Sequence, residues 1–482
     1  MNTLVRTRFA PSPTGYLHVG GIRTALFAYL LARQNQGQFV LRFEDTDKKR
    51  EVAGSAEHLI TSLHAIGIDY DEGPDIGGQF GPYVQSERLD HYKIWAQKLI
   101  DKGLAYADSY TAEEVQAFRE QAQVEKRAFL YRNHRPENPP VWDGTQPLRF
   151  KSTPKTYTYH DEVMGEIVTS PEVIDDIILI KSDGYPTYNF AHIIDDTEMH
   201  ITHIIRGQEF LSSMPNYLAL YEALELTPPV FAHMPHIMNE QGNKKLGKRD
   251  GAKDVLDYIR AGYLSEALMS FIATMGWNDG TTQETYTKAE LIARFSLSKV
   301  QRSGARFDEK RLLWMNGQFI RELELDDLYA RVSANDESIS HENFWPKTAS
   351  EANETYKRQV LALAQDRLKT LADLREFDYF FAPPSKDTSL ITDNKQLKKL
   401  EPSEIDAIIQ ACRDKLATLA DWTPETIQTA LNELLAETRQ KPGILFSLIR
   451  IYATWAPFSP QLSDTLALLG QNETLRRLQA AN

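Results

Sequence analysis

The order of elements at the start of the chain constrains the fold more than any other feature. Residues 5–9 alternate with the two-residue period of a short strand, and a loop with two prolines follows at 10–15. Residues 20–34 carry apolar side chains at three- and four-residue steps, which predicts a helix. Residues 38–43 predict a second strand. A β-α-β unit of this kind predicts a parallel sheet with helices packed on its faces.

The two strands of such a unit end on the same edge of the sheet, where open α/β folds usually bind ligands. The loop at 11–21 and the carboxylate of Glu44 are therefore predicted to face one pocket. The second half of the sheet is predicted at 185–196 and 200–207, followed by an apolar helix at 214–226 and a short strand at 230–233.

Two further stretches differ from this pattern. Residues 105–185 mix a charged helix, a proline-rich loop and β-like segments, which predicts an inserted α+β subdomain. Beyond residue 322 the apolar spacing is helical, with helices predicted at 356–381, 404–419, 424–438 and 443–455. The predicted fold class is α/β, with an all-α C-terminal domain. The predicted domains are 1–104 with 186–240 (sheet domain), 105–185 (insertion), 241–321 (basic loop and connecting region) and 322–482 (helical domain).

Composition limits where the protein works and what it binds. The formal net charge of −13 argues against indiscriminate binding to phosphate backbones, so a nucleic-acid partner needs a local basic surface. Cys412 is the only cysteine, which excludes an internal disulfide and a zinc site built from several thiolates. No apolar run approaches the length of a membrane span. We therefore expect no signal peptide, no membrane contact and a cytoplasmic location.

The segment His18-Val19-Gly20-Gly21 lies where the first loop gives way to the predicted helix. Glycines at a helix start let a ligand approach the free backbone amides, which favour anions, and a histidine there can donate to phosphate. This chemistry suits a triphosphate. The alternative is a pair of capping glycines beside a surface histidine.

Residues 244–251 form a second basic segment, KKLGKRDG, with glycines at 242 and 251 that predict a mobile loop. Lysines on such a loop can close over a triphosphate and neutralise the charge that develops on departing pyrophosphate. The alternative is a solvated basic turn.

Taken together, these motifs resemble those of the class I glutamyl-tRNA synthetases. The shared segments are RFAPSPTG (8–15), HVGG (18–21), RFEDTD (42–47), YNFAHIIDD (188–196), IRG (205–207), KLGKR (245–249), SGARFD (303–308) and LALLG (466–470). The resemblance covers nearly the whole chain. It implies a Rossmann-like catalytic sheet, a helical anticodon-binding domain, and an enzyme that activates L-glutamate with ATP as glutamyl-adenylate before transferring it to tRNA.

A charge argument also favours glutamate. The free amino acid carries one ammonium and two carboxylates, so its pocket needs an anion and preferably two cations, which Glu44, Arg8 and Arg206 supply. The resemblance implies that the side-chain carboxylate binds Arg8 and Tyr188, the α-carboxylate binds Arg206, the α-ammonium binds Glu44 and Ser12, and Ala10 completes the pocket. The alternatives are a cross-strand ion pair between Arg8 and Glu44, and a purely packed Tyr188.

For the nucleotide, the resemblance implies an ATP site formed by His18, Gly20, Gly21, Lys245 and Lys248. Of these, His18, Lys245 and Lys248 are implied to act in catalysis through positioning and charge stabilisation, without a covalent protein nucleophile. Magnesium is expected to accompany ATP, and no carboxylate cluster in the sequence predicts a dedicated metal site.

Three positions depart from the family pattern. Gly247 stands where the family's lysine loop normally carries serine, and the lost hydroxyl predicts slower rather than absent activity. Residues 106–110 lack the cysteines that hold zinc in many relatives, so we expect no structural zinc and an insertion held by packing alone. His192 replaces a smaller polar residue near the substrate and is either a pocket donor or a packed histidine.

Contacts with RNA are predicted at local basic stretches, each of which alone is more often a solvated face. The candidates are Lys126, Arg127, Arg132 and Arg135 in the insertion, Arg302 and Arg306 after the lysine loop, and Arg358 and Arg450 in the helical domain. The expected partner is tRNA for glutamate, with tRNA for glutamine as a further candidate. The family resemblance implies a monomer.

Four other functions stay open at this point. Glutaminyl specificity would favour an uncharged residue near Arg206, so this arginine disfavours it. A short relative that glutamylates a modified tRNA base lacks the helical domain, and a cofactor-making nucleotidyltransferase would leave that domain unexplained. A catalytically weakened RNA-binding paralogue would account for the altered lysine loop.

Overall fold

The computed structural model of the protein describes residues 4–17, 19–247, 253–339 and 341–479. The chain divides into two compact units, one of Met1–Asp257 with Ser265–Glu309 and the other of Tyr258–Leu264 with Lys310–Asn482. None of the described helices is long and apolar enough to cross a membrane.

The described strands all belong to the first unit. They are β1 (Arg6–Phe9), β2 (Gln38–Leu41), β3 (Ala105–Ala107), β4 (Leu148–Phe150), β5 (Thr158–Asp161), β6 (Gly165–Val168), β7 (Ile178–Ile180), β8 (His203–Gly207), β9 (Val230–Met234), β10 (Ile237–Met238) and β11 (Ala305–Arg306). The helices before residue 295 are α1 (Val19–Gln34), α2 (Ser55–Ala65), α3 (Leu89–Asp101), α4 (Ala112–Val124), α5 (Tyr188–Glu198), α6 (Met214–Ala223), α7 (Val255–Arg260), α8 (Ser265–Ala273) and α9 (Lys288–Arg294).

The order of strands in the main sheet creates a crevice at the end of β1. The described strands run β2-β1-β8-β9-β5-β6, and all neighbours are parallel except β5 and β6. The chain leaves β1 towards β2 on one side, while β8 lies on the other side of β1. Connections that diverge in this way leave room for a ligand between the carboxyl ends of the strands. The parallel sheet confirms the predicted α/β fold class.

Helix α1 confirms the helix predicted at 20–34. Its buried side chains include Ile22, Leu26, Tyr29 and Leu30, the three- and four-residue pattern seen in the sequence. The chain then turns sharply into β2 at Gly37, where an added Cβ would lie 2.0 Å from the carbonyl oxygen of Val5. Only glycine permits this close approach of the two backbones.

The strand predicted at 185–196 is wrong, because most of this segment forms helix α5. Its Phe190, Ile193 and Ile194 are residue types that favour strands. However, their three- and four-residue spacing places them on one buried helical face, and burial of that face outweighs the local preference. The next predicted strand, at 200–207, corresponds to β8.

The insertion contains a small antiparallel sheet with the order β3-β4-β7. Strands β5 and β6 come from the same stretch of sequence but join the main sheet, where β5 pairs with β9.

Buried ion pairs stabilise the small sheet. Asp108 accepts a hydrogen bond from Arg149 Nε at 2.6 Å and another from the Tyr131 hydroxyl. Asp176 accepts from Arg135 Nε at 2.6 Å and from the Tyr106 hydroxyl at 2.8 Å. The expectation that packing alone holds the insertion is therefore wrong, since this polar network also connects its strands.

The second unit is helical in its described residues, which confirms the predicted all-α C-terminal domain. Its helices are α10 (Glu309–Glu322), α11 (Leu325–Ser333), α12 (Glu354–Ala364), α13 (Ser389–Thr392), α14 (Pro402–Ala417), α15 (Pro424–Thr438), α16 (Pro442–Thr454), α17 (Leu462–Leu469) and α18 (Gln471–Arg477). The helix predicted at 356–381 is divided, because α12 ends at Ala364 and 3₁₀ turns follow at Leu371–Phe380.

The core of the C-terminal helices is apolar and includes the single cysteine. Ile409, Leu431, Leu448 and Leu466 are buried there with Cys412. Burial raises the pKa of the Cys412 thiol to about 12, so this side chain acts as a small apolar core residue rather than a reactive thiolate.

Candidate active site

The carboxyl ends of β1 and β8 open into a cavity of about 840 Å³. The structure brings all six residues predicted to bind glutamate to its wall. These are Arg8, Ala10, Ser12, Glu44, Tyr188 and Arg206. They come from β1 and its following loop, from the residues after β2, from the start of α5 and from β8. Residues distant in sequence therefore converge at the edge that the parallel topology predicts.

Arg8 is held in the cavity wall by Asp196, and not by Glu44. Its Nε lies 3.1 Å from Asp196 Oδ1 and its Nη2 lies 3.3 Å from Asp196 Oδ2, so the carboxylate binds one edge of the guanidinium at two points. Burial raises the pKa of Asp196, but the charges of Arg8 and Arg42 outweigh burial and hold this pKa well below its usual range. The carboxylate is thus ionised and fixes the direction of Arg8.

Arg42 connects the acids behind the cavity, a role that no sequence pattern predicted. This fully buried guanidinium donates to Asp196 Oδ1 at 2.8 Å and to Glu44 Oε1 at 2.9 Å. Its Nε also lies 3.7 Å from Asp195 Oδ2. The sequence signal for this cluster is the Asp195-Asp196 pair directly after the apolar Ile193-Ile194, because acids that follow an apolar run are buried only with cationic partners.

Glu44 is the carboxylate that faces the cavity from the end of β2. Burial raises its pKa to about 7, while the neighbouring charges of Arg42 and Arg8 oppose this rise. Because Arg42 holds one carboxylate oxygen, the orientation of Glu44 is set before any ligand arrives. The group is thus poised between its neutral and ionised forms near neutral pH.

Arg206 has a different environment from Arg8. Its Nε donates to His233 Nε2 at 3.1 Å, and its Nη1 lies 3.4 Å from His192 Nε2. The guanidinium carbon also lies 5.0 Å from the ring centre of Phe210 and 4.9 Å from that of Tyr217. Among the residues that the structure describes, no carboxylate pairs with Arg206.

His192 is a packed histidine and not a pocket donor. It is buried, and its ring stacks on that of Tyr188 at 4.7 Å between centroids. Its Nδ1 donates to the Tyr188 carbonyl oxygen at 2.7 Å, which leaves Nε2 without a proton. Burial, followed by the charge of Arg206, lowers its pKa to about 3, so the ring is neutral.

A second cavity, of about 530 Å³, adjoins the first and shares Ser12, Thr14 and Gly21 with it. Gly20, Gly21 and Lys245, which are predicted to bind ATP, line this second cavity. A Cβ at Gly21 would lie 2.6 Å from Leu17 Cδ1, so glycine allows the loop to lie against the helix start. The predicted catalytic residues His18 and Lys248 lie outside the described residues.

The first part of the lysine loop is held on a short hairpin. Leu246 N donates to the carbonyl oxygen of Ile237 at 2.8 Å, and Leu246 is buried. The neighbouring Lys245 side chain is exposed, with its Nζ 3.7 Å from Glu209 Oε1.

Arg23 is a further cationic group in the second cavity that the sequence analysis missed. It lies on the buried face of α1 and donates to the carbonyl oxygens of Met275, at 3.2 Å, and Pro235. Burial lowers its pKa to about 10, while the charge of Glu209 opposes this effect. Because Arg23 lies among the regularly spaced apolar residues of α1, the sequence pattern predicts a buried helix there and no binding role for the arginine.

Most of the arginines predicted to contact RNA make contacts within the protein. In the insertion Arg127 pairs with Glu125, Arg132 donates to the carbonyl oxygens of Glu172 and Ile174, and Arg135 pairs with Asp176. Elsewhere Arg302 donates to the Val163 carbonyl oxygen, Arg358 pairs with Glu354 and Asp326, and Arg450 donates to Ser459 Oγ. Lys126 and Arg306 are exposed.

Comparisons with known proteins agree with this geometry. The family model "tRNA synthetases class I (E and Q), catalytic domain" matches residues 4–314, and the model "Anticodon binding domain" matches residues 334–482. The chain therefore belongs to the class I tRNA synthetases of the glutamyl and glutaminyl type.

Within that family, the similar proteins are glutamate–tRNA ligases. The enzyme of Roseiflexus castenholzii is 40% identical over 99% of this chain and 96% of its own length. That of Clostridium botulinum is 38% identical over 99% of this chain and 98% of its own length. The crystal structure of a glutamate tRNA ligase from Elizabethkingia meningosepticum in complex with its amino acid has a TM-score of 0.86 at 31% identity, over 99% of this chain and 98% of that one.

Proposed function

We propose that the protein is a glutamate–tRNA ligase that activates L-glutamate with ATP and transfers it to tRNA. The observation that carries this proposal is the convergence of Arg8, Arg206 and Glu44 on one cavity, next to a second cavity at the start of α1. Two cations and one anion match the two carboxylates and one ammonium of glutamate.

The environments of the two arginines support the proposed assignment of substrate groups. Arg8, with Tyr188, takes the side-chain carboxylate, and Arg206 takes the α-carboxylate. Ionised Glu44 takes the α-ammonium with Ser12, beside the backbone of Ala10. A substrate carboxylate at Arg206 supplies the anionic partner that the described residues do not provide.

ATP is proposed to occupy the second cavity, with its phosphates near the backbone at Gly20 and Gly21. An oxygen of the glutamate α-carboxylate attacks the α-phosphorus, which forms glutamyl-adenylate and releases pyrophosphate. Lys245 neutralises charge on the leaving group, and we propose the same role for Lys248 and a phosphate contact for His18. We propose that Mg²⁺ arrives with the ATP phosphates.

In the second step, a ribose hydroxyl of the terminal adenosine of tRNA attacks the mixed anhydride. The glutamyl ester forms, and AMP leaves with the electron pair of the broken carbon–oxygen bond. Positioning and charge stabilisation suffice for both steps, so no protein nucleophile is required. We further propose that the adenylate forms only when tRNA is bound, that tRNA for glutamate is the substrate, and that the enzyme is a cytoplasmic monomer.

Charging of purified tRNA transcripts tests the function directly. We expect the protein to attach labelled glutamate, and not glutamine, to tRNA for glutamate, because the neutral side-chain amide of glutamine cannot form the ion pair with Arg8. Attachment of glutamine would support the glutaminyl alternative. No charging with either amino acid would support a non-catalytic RNA-binding paralogue, and parallel charging of tRNA for glutamine measures the breadth of tRNA choice.

A further inference from the structure

The buried surroundings of Arg206 contain two histidines whose roles the proposed reaction does not explain. His233 lies opposite Arg206 in the pairing of β9 with β8. A guanidinium only donates hydrogen bonds, so the contact of 3.1 Å requires an unprotonated Nε2 on His233. His233 Nδ1 must then carry the proton, and it donates to Asp161 Oδ2 at 2.6 Å.

Asp161 is itself fixed by the backbone. Its Oδ1 accepts from the amides of Val163 at 3.0 Å and Met164 at 2.8 Å, so the carboxylate cannot rotate without losing these bonds. Backbone and histidine hydrogen bonds outweigh burial and hold the pKa of Asp161 below its usual range. The ionised Asp161 thereby selects the tautomer of His233 that accepts from Arg206.

His192 provides the second acceptor by the same logic. Its Nδ1–H is bound to the Tyr188 carbonyl oxygen, so Nε2 presents a lone pair towards Arg206 Nη1 at 3.4 Å. The Arg206 charge therefore contacts two neutral rings in place of a carboxylate. By contrast, one edge of the Arg8 guanidinium is bound by the carboxylate of Asp196.

We propose that Asp161, His233 and His192 are positioning residues that orient Arg206 while leaving its charge available for a substrate carboxylate. This inference rests on the proposed function, in which Arg206 binds the glutamate α-carboxylate. A carboxylate in place of either imidazole would compete with the substrate for the guanidinium. Neutral acceptors fix the Arg206 guanidinium without that competition. These histidines therefore set the affinity for the amino acid.

The sharpest test reverses the tautomer of His233. In Asp161→Asn the side-chain oxygen must stay with the Val163 and Met164 amides, so the new NH₂ group donates to His233 Nδ1. His233 Nε2 then carries the proton and opposes the Arg206 Nε–H. We expect the KM for glutamate to rise about tenfold, with the KM for ATP changed less than about twofold.

The double variant Asp161→Asn with His233→Gln separates positioning from a structural role. The carbonyl oxygen of a glutamine at 233 has two lone pairs, so it can accept from Arg206 and from the NH₂ group of an asparagine at 161 together, which a protonated imidazole Nε2 cannot do. We expect His233→Gln alone to raise the KM for glutamate about threefold, and the double variant to return to that value. A merely structural role of Asp161 predicts instead a double variant at least as impaired as Asp161→Asn, and that result would overturn the proposal. His160→Gln, an exposed site on the same strand as Asp161, is the matched control.

Nitrogen-15 NMR of histidine-labelled protein tests the arrangement independently of catalysis. We expect His233 to carry its proton on Nδ1 in the wild type and on Nε2 in Asp161→Asn. If the wild type charges no tRNA, the proposed function fails, but these spectra still decide the hydrogen-bond arrangement. If the wild type charges tRNA and Asp161→Asn leaves both the spectrum and the KM for glutamate unchanged, the inference is wrong and the function stands.

Discussion

The ionisation of Glu44 predicts how glutamate use depends on pH. Burial raises the pKa of this carboxyl to about 7, and the opposing charges of Arg42 and Arg8 do not cancel that rise. Below this pKa the group is neutral and attracts the substrate ammonium weakly. Above it the group is ionised and attracts the ammonium strongly. We therefore expect kcat/KM for glutamate to rise with pH through neutrality and to level off above it.

The size of the effect follows from the strength of the ion pair. An ammonium and a carboxylate about 4 Å apart attract by about 4 kcal/mol at the effective dielectric of a protein site, roughly a thousandfold in affinity. The neutral form therefore contributes little, and kcat/KM follows the ionised fraction of Glu44. That fraction is about one tenth at pH 6 and about nine tenths at pH 8, so we expect close to a tenfold change.

Initial rates of tRNA charging at subsaturating glutamate, measured between pH 6 and pH 8, provide the assay. ATP and tRNA are kept at saturating concentrations, so that the measured rates do not depend on the binding of these two substrates. The value of kcat/KM for ATP is measured in parallel. Glu44→Gln is expected to give a low kcat/KM for glutamate that does not change with pH. Glu51→Gln, an exposed carboxylate at the cavity wall, is expected to retain the wild-type profile. A flat wild-type profile for glutamate would refute the assigned role of Glu44.

Three further changes test other parts of the molecule. Arg8→Ala is expected to raise the KM for glutamate at least a hundredfold, because it leaves the substrate carboxylate without its cation, and equal effects on the KM for ATP in charging assays would contradict the assignment. Gly247→Ser is expected to raise kcat a few-fold by restoring a phosphate contact, and an unchanged turnover would show that this position is unimportant. Asp108→Asn is expected to destabilise the insertion by about 3 kcal/mol by leaving Arg149 without its carboxylate. Limited proteolysis within the insertion measures this loss of stability. A chelator is expected to leave the cleavage pattern of the wild type unchanged, because we expect no structural zinc in the insertion.

Arg8 and Arg206 differ in how the protein surrounds their charges. Asp196 binds the Nε and Nη2 edge of Arg8, while Nη1 lies off this carboxylate, 3.4 Å from the Ile205 carbonyl oxygen. Arg206 is surrounded by aromatic faces and neutral imidazoles, which leave its charge to be met by the substrate. Arg8 and Arg42 are both buried and both contact Asp196. The acids behind the pocket compensate their charges, which reduces the free-energy cost of burying the two cations close together.

Local sequence patterns were sufficient for the fold class and for placing the first pocket residues of the chain at one edge of the sheet. The β1-α1-β2 pattern requires a parallel sheet, and strand ends in such a sheet share one edge. That rule places Arg8 and Glu44 together without knowledge of any tertiary contact. The pocket residues that follow Glu44 in sequence, such as Arg206, were recognised from motif order rather than from local patterns.

Tertiary packing alone decided the partners of the charged groups and the state of α5. Whether Arg8 pairs with Glu44 or Asp196 depends on how α5 packs on the sheet. The sequence predicted a strand in place of α5 because the segment contains residue types that favour strands. The same holds for the basic residues of the insertion, of which Arg132 and Arg135 are bound within the protein although their sequence context resembles an RNA-binding face.

The sequence by itself determined which residue types meet at the sheet edge, because the succession of strands and helices along the chain and the side-chain period within each element are local. Only the tertiary structure decided which charges neutralise one another, which imidazole nitrogens carry protons, and which arginine remains available to a ligand. These properties depend on distances of a few ångströms between residues far apart in the chain. Burial then strengthens each of those interactions by removing water.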